Sequence, residues 1–162
     1  MQYRKVSRIA EPLSVVGFGC WSSAGYNWTG GSQQESDRAI RAAIDHGINF
    51  FDVAPIYGFG ESEKVLGRAI KGQRDKVFVA TKVGLRWNEI DGPGINNLTP
   101  ESILEEIDLS LKRLDIDYID LYQMHWMDHK TPIEETMHTL VQLQKAGKIR
   151  YIGASNFSLE EL

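Results

Sequence analysis

Gly47–Ile70 reads GINFFDVAPIYGFGESEKVLGRAI. Ile48–Phe51 form a short apolar run with the character of a buried strand, and Asp52 follows at its carboxyl end. Pro55 breaks the regular structure, and Tyr57 falls in the Gly58/Gly60 turn. Val65, Leu66, Ala69 and Ile70 then mark one face of a helix that Gly72 follows. A carboxylate at the end of a buried strand is costly without a cationic partner, so the rest of the chain should supply one.

Working outward, the same alternation recurs. Met1–Leu13 is a polar lead-in that can form a short ribbon, and Ser14–Phe18 reads as the first strand. Gly17, Gly19, Cys20 and Trp21 open a glycine-rich loop that runs through Gly31. Ser32-Gln33-Gln34-Glu35 fits a capping box, and Ala39, Ile40, Ala43 and Ile44 stripe a helix that stops at Gly47. Val77–Thr81 has almost no polar side chains, which suits a parallel strand buried on both faces, and it ends at Lys82. Gly84–Leu98 reads as a long loop. Thr99-Pro100 caps a helix striped by Ile103, Ile107, Leu111 and Leu114. The strand Tyr118–Met124 ends at His125. Thr131-Pro132-Ile133-Glu134 resembles a second capping box, with Met137, Leu140, Val141 and Leu143 facing inward and Gly147 as the stop. Ile149–Ala154 is a fifth strand ending at Ser155-Asn156.

Strands joined by helical crossovers pair in parallel, which gives an α/β fold. A doubly wound sheet would carry a G-x-G-x-x-G turn, and Gly17-Phe18-Gly19 is only a fragment of one. A (β/α)8 barrel is favoured, because residues of chemical interest end successive strands. The chain offers about the first five β/α units, and Ser158-Leu159-Glu160-Glu161 signals a fifth helix just before Leu162. Residues 1–162 are thus expected to be a single domain, the amino-terminal portion of a barrel. A C-terminal half or a second copy would complete it.

Lys and Arg number 18 against 22 Asp and Glu, so the net charge of −4 gives no basic patch for nucleic acid. No apolar run is long enough to span a bilayer and no signal peptide is evident, so a membrane role is not expected. The single cysteine, Cys20, cannot pair within the chain, and a cytoplasmic setting is the default. His46, His129 and His138 lack ligand spacing, so no metal is expected. The Glu101-Glu105-Glu106 cluster reads as a solvated helix face.

Asp52, Lys82, His125 and Ser155-Asn156 all lie at carboxyl ends of expected strands, with Tyr57 just beyond one of them. Taken singly, an Asp52–Lys82 ion pair, a packed Tyr57 or a core His125 would each be ordinary structure. Taken together they make a carbonyl-polarising set. An ammonium held beside a tyrosine favours its phenolate, so Tyr57 can serve as general acid while His125 hydrogen-bonds the same substrate oxygen. Reduction then needs a hydride from a cofactor. Trp21, Trp28, Trp87 and Trp126 follow strands and are candidates for lining a pocket.

These residues resemble the aldo-keto reductase family. The matching stretches are Asp52-x-x-x-x-Tyr57-Gly58 with Glu61 through Leu66-Gly67, Val79-Ala80-Thr81-Lys82, LKRLDIDYIDLYQMHW at 111–126 and GKIRYIGASNF at 147–157. The resemblance implies a catalytic tetrad of Asp52, Tyr57, Lys82 and His125. It implies cofactor contacts from Gly19, Cys20, Trp21, Asp52, Ser155 and Asn156, with the last two at the nicotinamide carboxamide. It implies a substrate pocket of Trp21, Tyr57, Trp87, His125 and Trp126. It further implies hydride transfer from NADPH (NADP+) to a small aldehyde or ketone without metal. Three further strands in family members carry the residues that stack on the nicotinamide and grip the 2′-phosphate. Some proteins resembling this family are instead cofactor-binding regulatory subunits of ion channels.

Overall fold

A computed structural model describes residues 1–25, 32–90 and 92–162. The glycine-rich loop expected through Gly31 and Trp28 lie mostly or wholly outside the described residues.

Two short strands, β1 (Tyr3–Arg4) and β2 (Leu13–Ser14), form an antiparallel ribbon. The main sheet is parallel and contains β3 (Phe18–Gly19), β4 (Phe50–Asp52), β5 (Phe78–Val83), β8 (Ile119–Met124) and β9 (Ile149–Ala154), in that order. Helices α1 (Gln33–Asp45), α2 (Glu61–Ile70), α3 (Pro100–Leu114) and α4 (Ile133–Lys145) provide the crossovers. Strand order follows chain order without reversal, and each helix packs on the next in a single row. A doubly wound sheet would instead reverse its order at a switch point and carry helices on both faces. The sequential order is that of a barrel wall.

The core lies between sheet and helices, with Ile40, Phe51, Leu66, Val79, Ile103, Ile107, Leu114, Ile119 and Leu140 fully buried. All six residues of β5 are buried, as its uninterrupted apolar run predicts. Helices α2 and α3 cross so closely at Gly67 that a Cβ there would lie 2.3 Å from the carbonyl oxygen of Leu114. Ser32 makes the expected reciprocal capping box with Glu35, and Thr99 caps α3 by accepting from the amide of Ser102.

Five expectations need correction. The stretch Ser14–Phe18 is not one strand, because Ser14 belongs to the ribbon and Phe18 to the sheet. Val15 and Val16 between them are exposed. Asn49 sets this break: its side-chain oxygen accepts from the Ser14 amide at 2.7 Å and its amide nitrogen donates to Pro12 O at 3.0 Å. The loop Gly84–Leu98 contains a second ribbon, β6 (Leu85–Arg86) with β7 (Ile95–Asn96). Thr131 does not cap α4, whose N-cap is Pro132 without a side-chain bond. The Thr131 hydroxyl donates to Asp128 Oδ2 at 2.7 Å, and Asp128 Oδ2 also accepts from the amide of Leu98 at 3.0 Å. At Ser158-Leu159-Glu160-Glu161 only half the box forms, with the Ser158 amide donating to Glu161 Oε2 at 2.7 Å.

The fifth correction is Glu106, which is buried rather than solvated. It sits on the sheet-facing side of α3 and accepts from Ser102 Oγ at 2.9 Å and from the amide of Gly84. Burial raises its pKa to about 7, opposed by those hydrogen bonds and by Arg86 and Arg113 nearby. A carboxyl raised in the folded state contributes full stability below its unfolded pKa and loses it as pH rises through the folded value. Stability of the parent chain should therefore fall between about pH 4.5 and about pH 7. Glu106→Gln keeps an acceptor for Gly84 and should flatten that slope. Chemical denaturation across the window checks it, and an unchanged slope would exclude Glu106 as the source.

Candidate active site

The helix-free face of the sheet carries the site. Side chains alternate along a strand, so Asp52 and Lys82 point away from the helices. The register places Asp52 beside Ala80 and Lys82 beside Gln123, which brings the carboxyl ends of β4, β5 and β8 into one line. Lys82 is buried, and its Nζ donates to Asp52 Oδ2 at 2.8 Å, to Val53 O at 3.0 Å and to Tyr57 Oη at 3.2 Å. An ammonium has three donors and no acceptor, so these bonds satisfy Lys82 completely. They also fix polarity. The Tyr57 oxygen accepts from Lys82, so its own O–H is left to donate elsewhere.

Tyr57 is held by its turn. Gly58 and Gly60 adopt φ of 60° and 93°, the left-handed region that side chains disfavour. The Gly60 amide donates to Pro55 O at 2.7 Å and the Ser62 amide to Tyr57 O at 3.2 Å, closing the turn into α2. The phenol ring meets the His125 imidazole edge-on with centroids 6.0 Å apart, and Trp21 at 6.1 Å on another side. His125 is fixed by its backbone, whose amide donates to Val83 O at 2.9 Å. Burial, with a smaller contribution from the Lys82 ammonium, lowers its pKa to about 4, so the imidazole is neutral near neutral pH.

At the end of β9 the Ser155 amide donates to Met124 O at 2.9 Å. Asn156 adopts φ of 58° and its Nδ2 donates to His125 O at 2.9 Å and to Ser155 Oγ at 3.0 Å. These two residues therefore sit directly against the His125 end of the group. Gly19 lies opposite Asp52, and the space above its Cα is open for 4 Å.

Of the sequence candidates, the structure brings Asp52, Tyr57, Lys82, His125, Trp21, Ser155 and Asn156 to one end of the sheet. Cys20 is at the same end but its thiol is fully buried, and burial raises its pKa to about 12. Only its backbone engages the site, with its amide donating to Asp52 O at 2.8 Å. Trp126 is 45% exposed at the rim. Trp87 stacks edge-on with Phe59 and lines a hollow of about 220 Å³ with Pro55, Arg86, Glu106, Leu109 and Arg113, whose walls include none of the four central residues.

The sequence reading missed Gln123, whose Nε2 donates to Asp52 Oδ1 at 3.4 Å. Gln123 shares a face of the sheet with Lys82 by register, a pairing that no local pattern in the sequence records. Among the described residues no group of His, Cys, Asp and Glu is arranged to hold a metal ion, and no helix is long and apolar enough to cross a membrane.

Comparison with known proteins bears on the family and the fold. Residues 15–162 match the aldo/keto reductase family. The chain is 46% identical to the aldo-keto reductase YhdN of Bacillus subtilis over 164 residues, covering 100% of this chain and 49% of that protein. The glycerol dehydrogenase of Gluconobacter oxydans superposes with a TM-score of 0.88 at 44% identity, over 98% of this chain and 50% of that one. An aldo-keto reductase from Klebsiella pneumoniae, solved in complex with NADPH, superposes at 0.76 with 31% identity, over 93% and 48%. The chain thus spans about half the length of the relatives it matches. The structural neighbours are (β/α)8 barrels, and the five-stranded sheet is a continuous part of such a wall. By the matched family, the shared fold and the agreement over nearly its whole length, this chain belongs to the aldo/keto reductase family.

Proposed function

We propose that this chain carries the proton-transfer end of an NADPH-dependent reductase of small aldehydes or ketones, with Tyr57 as general acid. The observation that carries the reading is the direction of one hydrogen bond. Lys82 donates to Tyr57 Oη at 3.2 Å, so the tyrosine proton is directed away from the ammonium and is left to donate elsewhere. As a carbonyl oxygen beside Tyr57 gains negative charge, Tyr57 passes it the phenolic proton. The Lys82 ammonium stabilises the phenolate that remains, and Asp52 holds that ammonium in place. The neutral His125 imidazole offers a hydrogen bond to the same oxygen and orients the substrate.

The residues present fit a nicotinamide cofactor. Asn156 and Ser155 offer amide and hydroxyl groups of the kind a carboxamide pairs with, and the open space above Gly19 leaves room for a flat ring near Asp52. When bound, NADPH supplies the hydride. Trp21, 59% exposed, and Trp126 stand at the rim, where an apolar substrate tail can pack.

Titration of the protein with NADPH, followed by quenching of tryptophan emission, tests the cofactor. Consumption of NADPH on addition of a small aldehyde tests the reaction. Saturable binding followed by aldehyde-dependent oxidation is expected. Absence of both from the intact protein that carries this chain would overturn the proposal.

A further inference from the structure

We infer that Glu63, Arg113 and Thr81 form a clamp on the far side of the sheet that sets the distance between Tyr57 and Lys82. Glu63 lies in the first turn of α2, the helix that the Tyr57 turn leads into, and it is fully buried. Its Oε1 accepts from Thr81 Oγ1 at 2.8 Å and its Oε2 from Arg113 Nε at 2.6 Å. Thr81 immediately precedes Lys82 on β5 and points to the opposite face. Arg113 comes from the last turn of α3 and also donates from Nη2 to Ser110 Oγ at 3.2 Å.

One carboxylate therefore ties the start of α2 to the strand that bears Lys82 and to the next helix. The guanidinium does more than pair with it. A Cβ at Gly60 would come within 2.7 Å of Arg113 Cδ, so the Tyr57 turn rests directly on that side chain. The turn is held from below by Arg113 and anchored at its end by Glu63. Each charge of the pair is closely shielded, with side chains 0% and 15% exposed.

Such a clamp acts through position. Lys82 Nζ and Tyr57 Oη are 3.2 Å apart, at the long end of a hydrogen bond, and they ride on different elements. A displacement of about 1 Å in such a pair can lower a rate about 100-fold. Glu63, Arg113 and Thr81 touch neither substrate nor cofactor and are positioning residues.

The inference rests on Tyr57 being the proton donor, so the experiment separates the two claims. The intact protein, labelled at tyrosine Cζ, is compared with Thr81→Val and with the paired Glu63→Leu, Arg113→Met protein. Tyr57→Phe assigns the Tyr57 resonance. Replacing both charges together avoids stranding one of them in the core. The clamp predicts a shifted Tyr57 resonance in both variants. It also predicts kcat lowered about tenfold in Thr81→Val and about 100-fold in the pair, with KM little changed. A Tyr57 resonance and kcat unchanged in both variants would overturn it. Should the paired protein fail to fold, Thr81→Val alone decides by the same two readouts. Turnover that does not depend on Tyr57 would defeat the reductase reading, while the resonance would still report on the clamp.

Discussion

Tyr57→Phe is expected to lower the rate of hydride transfer about 100- to 10,000-fold, the range for loss of a positioned general acid. The substitution deletes one oxygen and keeps the ring, so the edge contact with His125 and the contact with Trp21 survive. Lys82 keeps its bonds to Asp52 and Val53 O. NADPH affinity should stay close to that of the parent, because none of the groups assigned to the cofactor is altered. Single-turnover kinetics with saturating NADPH and a small aldehyde isolates the chemical step. Retention of more than about a tenth of the parent rate would remove Tyr57 from the role of acid.

The largest expected effect on stability lies at the other end of the sheet. Asp120 on β8 is 1% exposed and accepts from Arg74 Nη2 at 2.6 Å, Arg150 Nη1 at 2.9 Å and the amide of Val79 at 2.8 Å. Arg150 in turn pairs with Glu11, and Tyr151 Oη accepts from the Ala10 amide at 2.9 Å, so the amino-terminal lead-in is bound to the strand starts. Asp120→Ala leaves two guanidinium groups and a buried amide without their shared acceptor. Breaking a buried pair in this way costs about 3–5 kcal/mol. Urea denaturation of the intact protein should show that loss. A loss below about 1 kcal/mol would mean that water or Glu11 replaces the carboxylate fully.

The sequence revealed the parallel alternation and two of the four central residues for a common reason. A buried parallel strand leaves an uninterrupted apolar run, and a charged residue ending such a run is conspicuous. Lys82 after VFVAT and Asp52 after INFF are legible in that way. Glu63 and Glu106 were not. Both occupy helices whose exposed faces are also rich in acids, and only tertiary packing distinguishes a buried glutamate from its solvated neighbours. Asp120 was hidden similarly, in a strand whose partners Arg74 and Arg150 are 46 and 30 residues away. The split of Ser14–Phe18 into two strands depends on Asn49, a contact across 35 residues that no local pattern records. Thr131 fails as a cap because Asp128, three residues earlier, offers its hydroxyl a charged acceptor.

The strands stand in the sheet in the order in which they occur in the chain. For a polypeptide leaving the ribosome, this means that each new strand finds its neighbour already in place. The strand ending at Asp52 can receive the one ending at Lys82 as soon as α2 has formed, and β8 with His125 can dock on that pair. The group of Asp52, Tyr57, Lys82 and His125 can thus assemble by successive additions, each closing one crossover. It requires no meeting of distant chain ends, and the last of its contacts in chain order is the bond from Asn156 Nδ2 to the carbonyl of His125.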